Sequence, residues 1–105
     1  MTQHSEFSCA STSRKHLNAA FLHRLKKVCV SLHLHVNERL NDEVLGDFVA
    51  IPIRKPNEEY KQMLISLASR YGIGSDYIDV IDNEYTGDKE YLQFYLDKKK
   101  PYAED

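Results

Sequence analysis

The chain reads as a small α+β domain, a two-layer sandwich with two helices on one face of a four-stranded, mostly antiparallel sheet, in the order α-β-β-α-β-β. Three observations predict it. An apolar stripe at Tyr60, Met63, Leu64, Leu67, Ala68 and Tyr71 has helical spacing, opens after Pro56-Asn57-Glu58-Glu59 and stops at Gly72. Several other segments alternate apolar and polar residues with the period of half-buried strands. The length, 105 residues, allows one core, and 42% hydrophobic with 29% charged residues is the composition of an ordinary globular chain.

Residues 1–12 are polar and aperiodic and read as a disordered tail. Ser13 is a plausible N-cap for a helix over about residues 14–25, with Leu17, Ala20, Phe21 and Leu25 on one stripe. Residues 28–36 support two readings. As a strand they place Val28, Val30, Leu32, Leu34 and Val36 on one face, whereas a continued helix leaves Val30 and Leu34 on the wet side. The strand uses all five apolar residues and is the expectation adopted. Residues 37–46 are polar, end in Gly46 and read as a loop. Phe48–Ile53 is a second strand, at an edge or ending at Pro52, because proline has no donor for a ladder.

Asn57 can cap the second helix, and Glu58 and Glu59 suit its positive end. Tyr77–Asn83 and Glu90–Asp97 then form a hairpin around Thr86-Gly87-Asp88. Ile78, Val80, Leu92, Phe94 and Leu96 point to the core, leaving Tyr77, Asp79, Ile81, Tyr91, Gln93 and Tyr95 on the opposite face. The domain therefore spans residues 13–97, followed by a charged tail over 98–105.

From Leu32 to Leu96 this layout resembles the small YggU-like domains. The matching stretches are Leu32-His33-Leu34-His35-Val36, Val44-Leu45-Gly46-Asp47, Phe48-Val49-Ala50-Ile51, and a helix closing with Tyr71-Gly72-Ile73 before Asp79-Val80-Ile81. The resemblance implies the α+β fold and no function. The family's glycine-containing turn is absent around Lys55-Pro56-Asn57, and Asn83-Glu84-Tyr85-Thr86-Gly87-Asp88 replaces its basic hairpin turn.

Charge is distributed unevenly. The first forty residues hold six bases, two acids and all five histidines, while residues 71–97 hold seven acids, one base and five of the seven tyrosines. The formal net charge of −2 hides this dipole and gives no general basic excess for binding nucleic acid. No apolar run is long enough for a membrane span, and the N-terminus has no secretory core. The serine-rich start and the basic stretch Leu17–Lys27 have the composition of a transit peptide, but removing residues 1–37 would delete an expected strand. A cytoplasmic protein with a loose N-terminal tail is the simpler reading, and two cysteines are too few for a disulfide scaffold.

No catalytic constellation stands out. Cys29, His33 and His35 would share one strand face, without the spacing of a zinc motif. Cys29 and His33 would also lie too far apart to bond as a nucleophile pair. Gly72-Ile73-Gly74 follows a helix, the wrong context for a phosphate loop. The expectation is therefore a protein that is not an enzyme and carries no cofactor or metal.

Acids interleaved with tyrosines suit protein recognition, since tyrosine joins apolar area to a polar tip. Tyr77, Asp79, Asp82, Glu84, Tyr91 and Tyr95 are the expected contact residues of a binding, regulatory or inhibitor-like protein. Their partner would be a basic protein, such as a nuclease or another nucleic-acid-binding protein. The alternative is an RNA-associated protein using an open aromatic sheet face, with Arg14, Lys15, Arg24 and Lys27 of the first helix along the phosphates.

Overall fold

A single long helix, rather than a helix and a strand, opens the fold. The computed structural model describes residues 10–97 apart from 44, 45, 84 and 86. Within them lie α1 (Ala10–Leu32), β1 (Asn37–Asp42), β2 (Gly46–Arg54), α2 (Glu58–Arg70), a short 3-10 turn (Ser75–Tyr77), β3 (Ile78–Asp82) and β4 (Lys89–Tyr95). The order α-β-β-α-β-β is the expected one, and both helices pack on one face of an antiparallel sheet ordered β1-β2-β4-β3.

Two boundaries in the first half differ from the sequence reading. The strand expected over residues 28–36 is helix as far as Leu32, and the loop expected over 37–46 contains β1. The cause lies at His33. Its φ is 61°, and its N–H donates to Val30 O while Leu34 N–H donates to Cys29 O at 2.8 Å. Those two bonds form a Schellman ending with histidine in the left-handed position that glycine usually takes. Leu34 then packs back onto the core, as the residue after such a stop tends to do. The alternation over Val28–Val36 was therefore a coincidence of helix, stop and lead-in, and Val30 faces solvent with 74% of its surface exposed.

Strand β1 escaped notice because it has almost no buried side. Its residues, Asn37 to Asp42, are polar apart from Leu40, and only Asn37 is less than exposed. A sheet edge tolerates this, because the backbone of β2 supplies the pairing. The register shifts between Arg39 and Asp42, where Asn41 has φ 64°.

The start of α1 also moves, to Ala10, which places the expected Ser13 cap inside the helix. The readings for residues 1–9 and 98–105 lie outside the described residues.

The second half follows the expectation closely. Asn57 Oδ1 accepts the Tyr60 N–H at 3.1 Å, and α2 ends with Gly72 at φ 83°, bonded in the same Schellman pattern as α1. Lys55 N–H donates to Asp88 O, so alternate residues of β2 bond toward β4 and the nitrogen of Pro52 faces the β1 side. The last β1 partner on that side is Ala50, so β2 is an inner strand whose end at Pro52 is locally an edge.

The main core lies between the layers. Phe21, Leu25 and Cys29 of α1, with Leu64, Leu67 and Ala68 of α2, cover Val49, Ile51, Ile53, Ile78, Leu92 and Phe94 of the sheet. Phe21 meets Phe94 edge-on at 5.4 Å between ring centroids. Arg14 ties the layer ends together. Its guanidinium donates to Tyr71 O at 2.7 Å, to Gly72 O and to Asn18 Oδ1, while Asn18 Nδ2 donates to Leu96 O. The cation thus sits on the carbonyls that end α2, where the helix dipole favours positive charge.

Candidate functional site

The hairpin that carries the candidate site is turned by Asn83. Its side-chain oxygen accepts the Tyr85 N–H at 2.9 Å, its carbonyl accepts the Gly87 N–H, and Gly87 takes φ 72°. An asparagine that bonds its own loop together with a glycine in the left-handed region makes a tight turn. The two strands pair Ile78 with Phe94, Asp79 with Gln93, Val80 with Leu92, Ile81 with Tyr91 and Asp82 with Glu90. This is the facing pattern read from the sequence.

The acids do not gather on one face. Asp82 and Glu90 lie on the helix side, where Asp82 meets Lys55 at 3.2 Å and Glu90 meets Lys61 at 3.0 Å. Lys61 also holds Glu58 at 2.9 Å, and bonds to these two carboxylates, Glu58 first, raise its pKa. On the outer face the register places Arg39, Arg54 and Lys89 on the same side as Asp79, so that face carries mixed charge. Asp76, Asp79 and Asp82 instead follow the line of β3, which among the described residues is an edge of the sheet.

The tyrosines separate as well. Tyr95, 2% exposed, is closed off against Phe48 and Ala50, stacked on Phe48 at 5.7 Å, with its hydroxyl donating to Gln93 Oε1. Tyr77 is half-buried between that cluster and the main core. Neither presents a free ring. Tyr91 is half-buried, and its hydroxyl accepts from Asn83 Nδ2 at 3.4 Å. Tyr91 lines a hollow of about 350 Å³ together with Ile81, Asp82, Asn83 and Tyr85. Tyr85 is 98% exposed at the turn, and Val80 and Ile81 are 42% and 40% exposed on β3. These three are exposed hairpin residues that sequence reasoning did not place among the contact candidates. The signal for Tyr85 was its place in the turn, while the exposure of Val80 and Ile81 follows from β3 being an edge.

Of the six expected contact residues, the structure therefore brings Asp79, Asp82 and Tyr91 to the exposed hairpin and withdraws Tyr77 and Tyr95. Glu84 lies outside the described residues. On the other side of β3, Ile65, Ser69, Ile73, Gly74, Ser75 and Ile78 line a second hollow of about 280 Å³ against α2.

The residues of the RNA alternative take different places. Arg14 is committed to the end of α2, and Lys15, Arg24 and Lys27 are exposed on α1, in the layer behind the sheet. The rings of Tyr95 and Phe48 are closed to a stacking base, so this geometry lends that reading no support. Cys29 is a free thiol buried in the core, and burial pushes its pKa up to about 11, the opposite of an activated nucleophile. His33 and His35 follow the helix end rather than sharing a strand face with it. Among the described residues no group of three or more histidines, cysteines or acids could hold a metal ion. No described helix is long and apolar enough to cross a membrane.

No family model matches the chain, and no curated protein or solved structure does so either. The likeness to YggU-like domains therefore rests on layout alone.

Proposed function

We propose that this is a small non-enzymatic binding or regulatory protein that docks a basic protein partner through the hairpin of β3 and β4. One observation carries the reading. Tyr85 and Ile81 stand exposed at a 350 Å³ hollow, Val80 is exposed on the opposite flank of β3, and Asp79 and Asp82 lie along the same strand. Apolar area of this kind, with carboxylates along the adjoining strand, suits recognition of a complementary protein. The acids would steer a basic partner into contact and the rings would hold it. Inhibition of a nucleic-acid-binding enzyme is the regulatory role such a surface fits, and a cytoplasmic setting agrees with the free Cys29 thiol.

The test is retention of basic proteins from cell extract on immobilised wild type and variants, followed by binding kinetics with whichever protein is retained. Tyr85→Ala or Tyr91→Ala should cost about 2 kcal/mol of binding if either ring is a hot spot. Asp79→Asn with Asp82→Asn should slow association and flatten its salt dependence, with stability held within about 0.5 kcal/mol. Equal retention by these variants, with loss in Lys15→Gln, Arg24→Gln and Lys27→Gln, would move the working surface to α1 and end this proposal.

A further inference from the structure

Among the described residues β3 is bounded by β4 on one side only, and its register fixes which backbone groups face outward. Asn83 N–H donates to Lys89 O at 3.0 Å, which makes residues 79, 81 and 83 the ones that bond toward β4. The backbone groups of residues 78, 80 and 82 then point away from the sheet. Two of them already have partners: Ile78 N–H donates to Ser75 O, closing the 3-10 turn, and Val80 has a substitute one. Val80 N–H donates to the Asp79 carboxylate at 3.0 Å, so a side-chain oxygen occupies the place of a neighbouring strand's carbonyl. The other edge offers no such row, because β1 is broken by the irregularity between Arg39 and Asp42.

Both flanks of this edge are hollowed. The 280 Å³ hollow against α2 includes Ile78, and the 350 Å³ hollow beside Tyr85 and Tyr91 includes Ile81. Ile78 and Ile81 are three positions apart and therefore point to opposite faces. A strand laid along β3 would present its own side chains with the same alternation, so two residues three apart would enter the two hollows. The intervening and flanking side chains would pass Asp76, Asp79 and Asp82, of which Asp82 is held by Lys55 at 3.2 Å. Lysine or arginine suits those positions. A second copy of the chain suits them poorly, since it would align the Asp79 and Asp82 carboxylates of both copies along one seam.

We infer that the segment of the partner held by the hairpin is an extended basic strand that adds to the β3 edge, with apolar side chains three positions apart seated in the two flanking hollows. This rests on the docking reading and specifies its mode. On arrival, a carbonyl of the incoming strand takes over the Val80 N–H, and the released Asp79 carboxylate turns to a lysine or arginine of that strand. Main-chain bonds then supply affinity and the hollows supply selectivity.

The experiment uses the full chain, labelled with nitrogen-15, and a blocked peptide of sequence Lys-Val-Lys-Arg-Ile-Lys. Two further peptides of the same sequence carry N-methyl groups on alternate amides, one in each of the two possible phases. Strand addition predicts slowed hydrogen exchange at the Val80 and Asp82 amides. It also predicts at least tenfold weaker binding for the N-methyl phase that blocks the ladder, with the other phase tolerated. Equal binding by both phases, without protection at these amides, would overturn strand addition while leaving the docking reading in place. Failure of the peptide to bind, with basic proteins still lost by the hairpin variants, would have the same meaning. Protection that rises with protein concentration in the absence of peptide would identify a second copy as the occupant and refute the inference.

Discussion

Replacing His33 with glycine probes the helix stop that the sequence concealed. His33 is exposed, holds φ at 61°, and contributes two backbone bonds' worth of geometry to the end of α1. A side chain in the left-handed region costs roughly 1 to 2 kcal/mol, toward the lower figure for histidine, which tolerates it better than most. Glycine removes that cost but adds about 0.5 kcal/mol or more of unfolded-chain entropy. His33→Gly should therefore stabilise the protein by about 0.5 to 1 kcal/mol, a rise of roughly 2 to 6 °C in Tm for a domain of this size. His33→Val should do the opposite by about 1 kcal/mol, because a β-branched residue fits the left-handed region worst. If residues 28–36 were instead a strand, both signs would reverse, since valine favours strands and glycine weakens them. Urea unfolding of the two variants against wild type decides it. A destabilised glycine variant with a stabilised valine variant would refute the helix stop.

Other perturbations follow from the packing and the charges. Arg14→Met keeps most of the stem but removes the bonds to Tyr71 O, Gly72 O and Asn18, and should cost about 1 to 2 kcal/mol in denaturant unfolding. Leu25→Ala empties a fully buried site between the layers and should cost about 2 to 5 kcal/mol, whereas Val30→Ala should stay within about 0.5 kcal/mol. The folded-state pKa of Cys29 is raised to about 11, so its unfolded thiol ionises first and stability falls as pH climbs from about 9 to about 11. Lys61, also raised, adds to that alkaline loss as its ammonium deprotonates near and above the ordinary lysine value. Cys29→Ala should flatten the first part of the profile and Lys61→Met the last part, both read as unfolding free energy against pH. In native wild type the Cys29 thiol should react with a thiol reagent no faster than the protein opens.

The two helices show what separates a legible feature from a hidden one. Gly72 announces the end of α2, because glycine at a helix end is the common sign of a left-handed stop. His33 performs the same task at the end of α1 with the same two hydrogen bonds, but its residue type carries no such sign. In the hairpin the alternation was reliable because one face of each strand is committed to the core, which fixes the register. In β1 no face is committed, and pattern had nothing to read.

The sequence by itself determined the fold class, the capped second helix, the hairpin and the facing of its residues, because these depend on local spacing and short-range bonds. Tertiary structure alone decided that Arg14 belongs to the end of α2, since the two sit far apart in the chain and meet only when the layers pack. It decided that Tyr95 closes against Phe48 while Tyr85 stands free, a difference set by neighbouring strands rather than by the residue itself. It also decided that the acids follow an edge instead of covering a face. The count of charges is a property of the chain, but the direction of each depends on the strand order β1-β2-β4-β3, which makes β3 the border of the sheet.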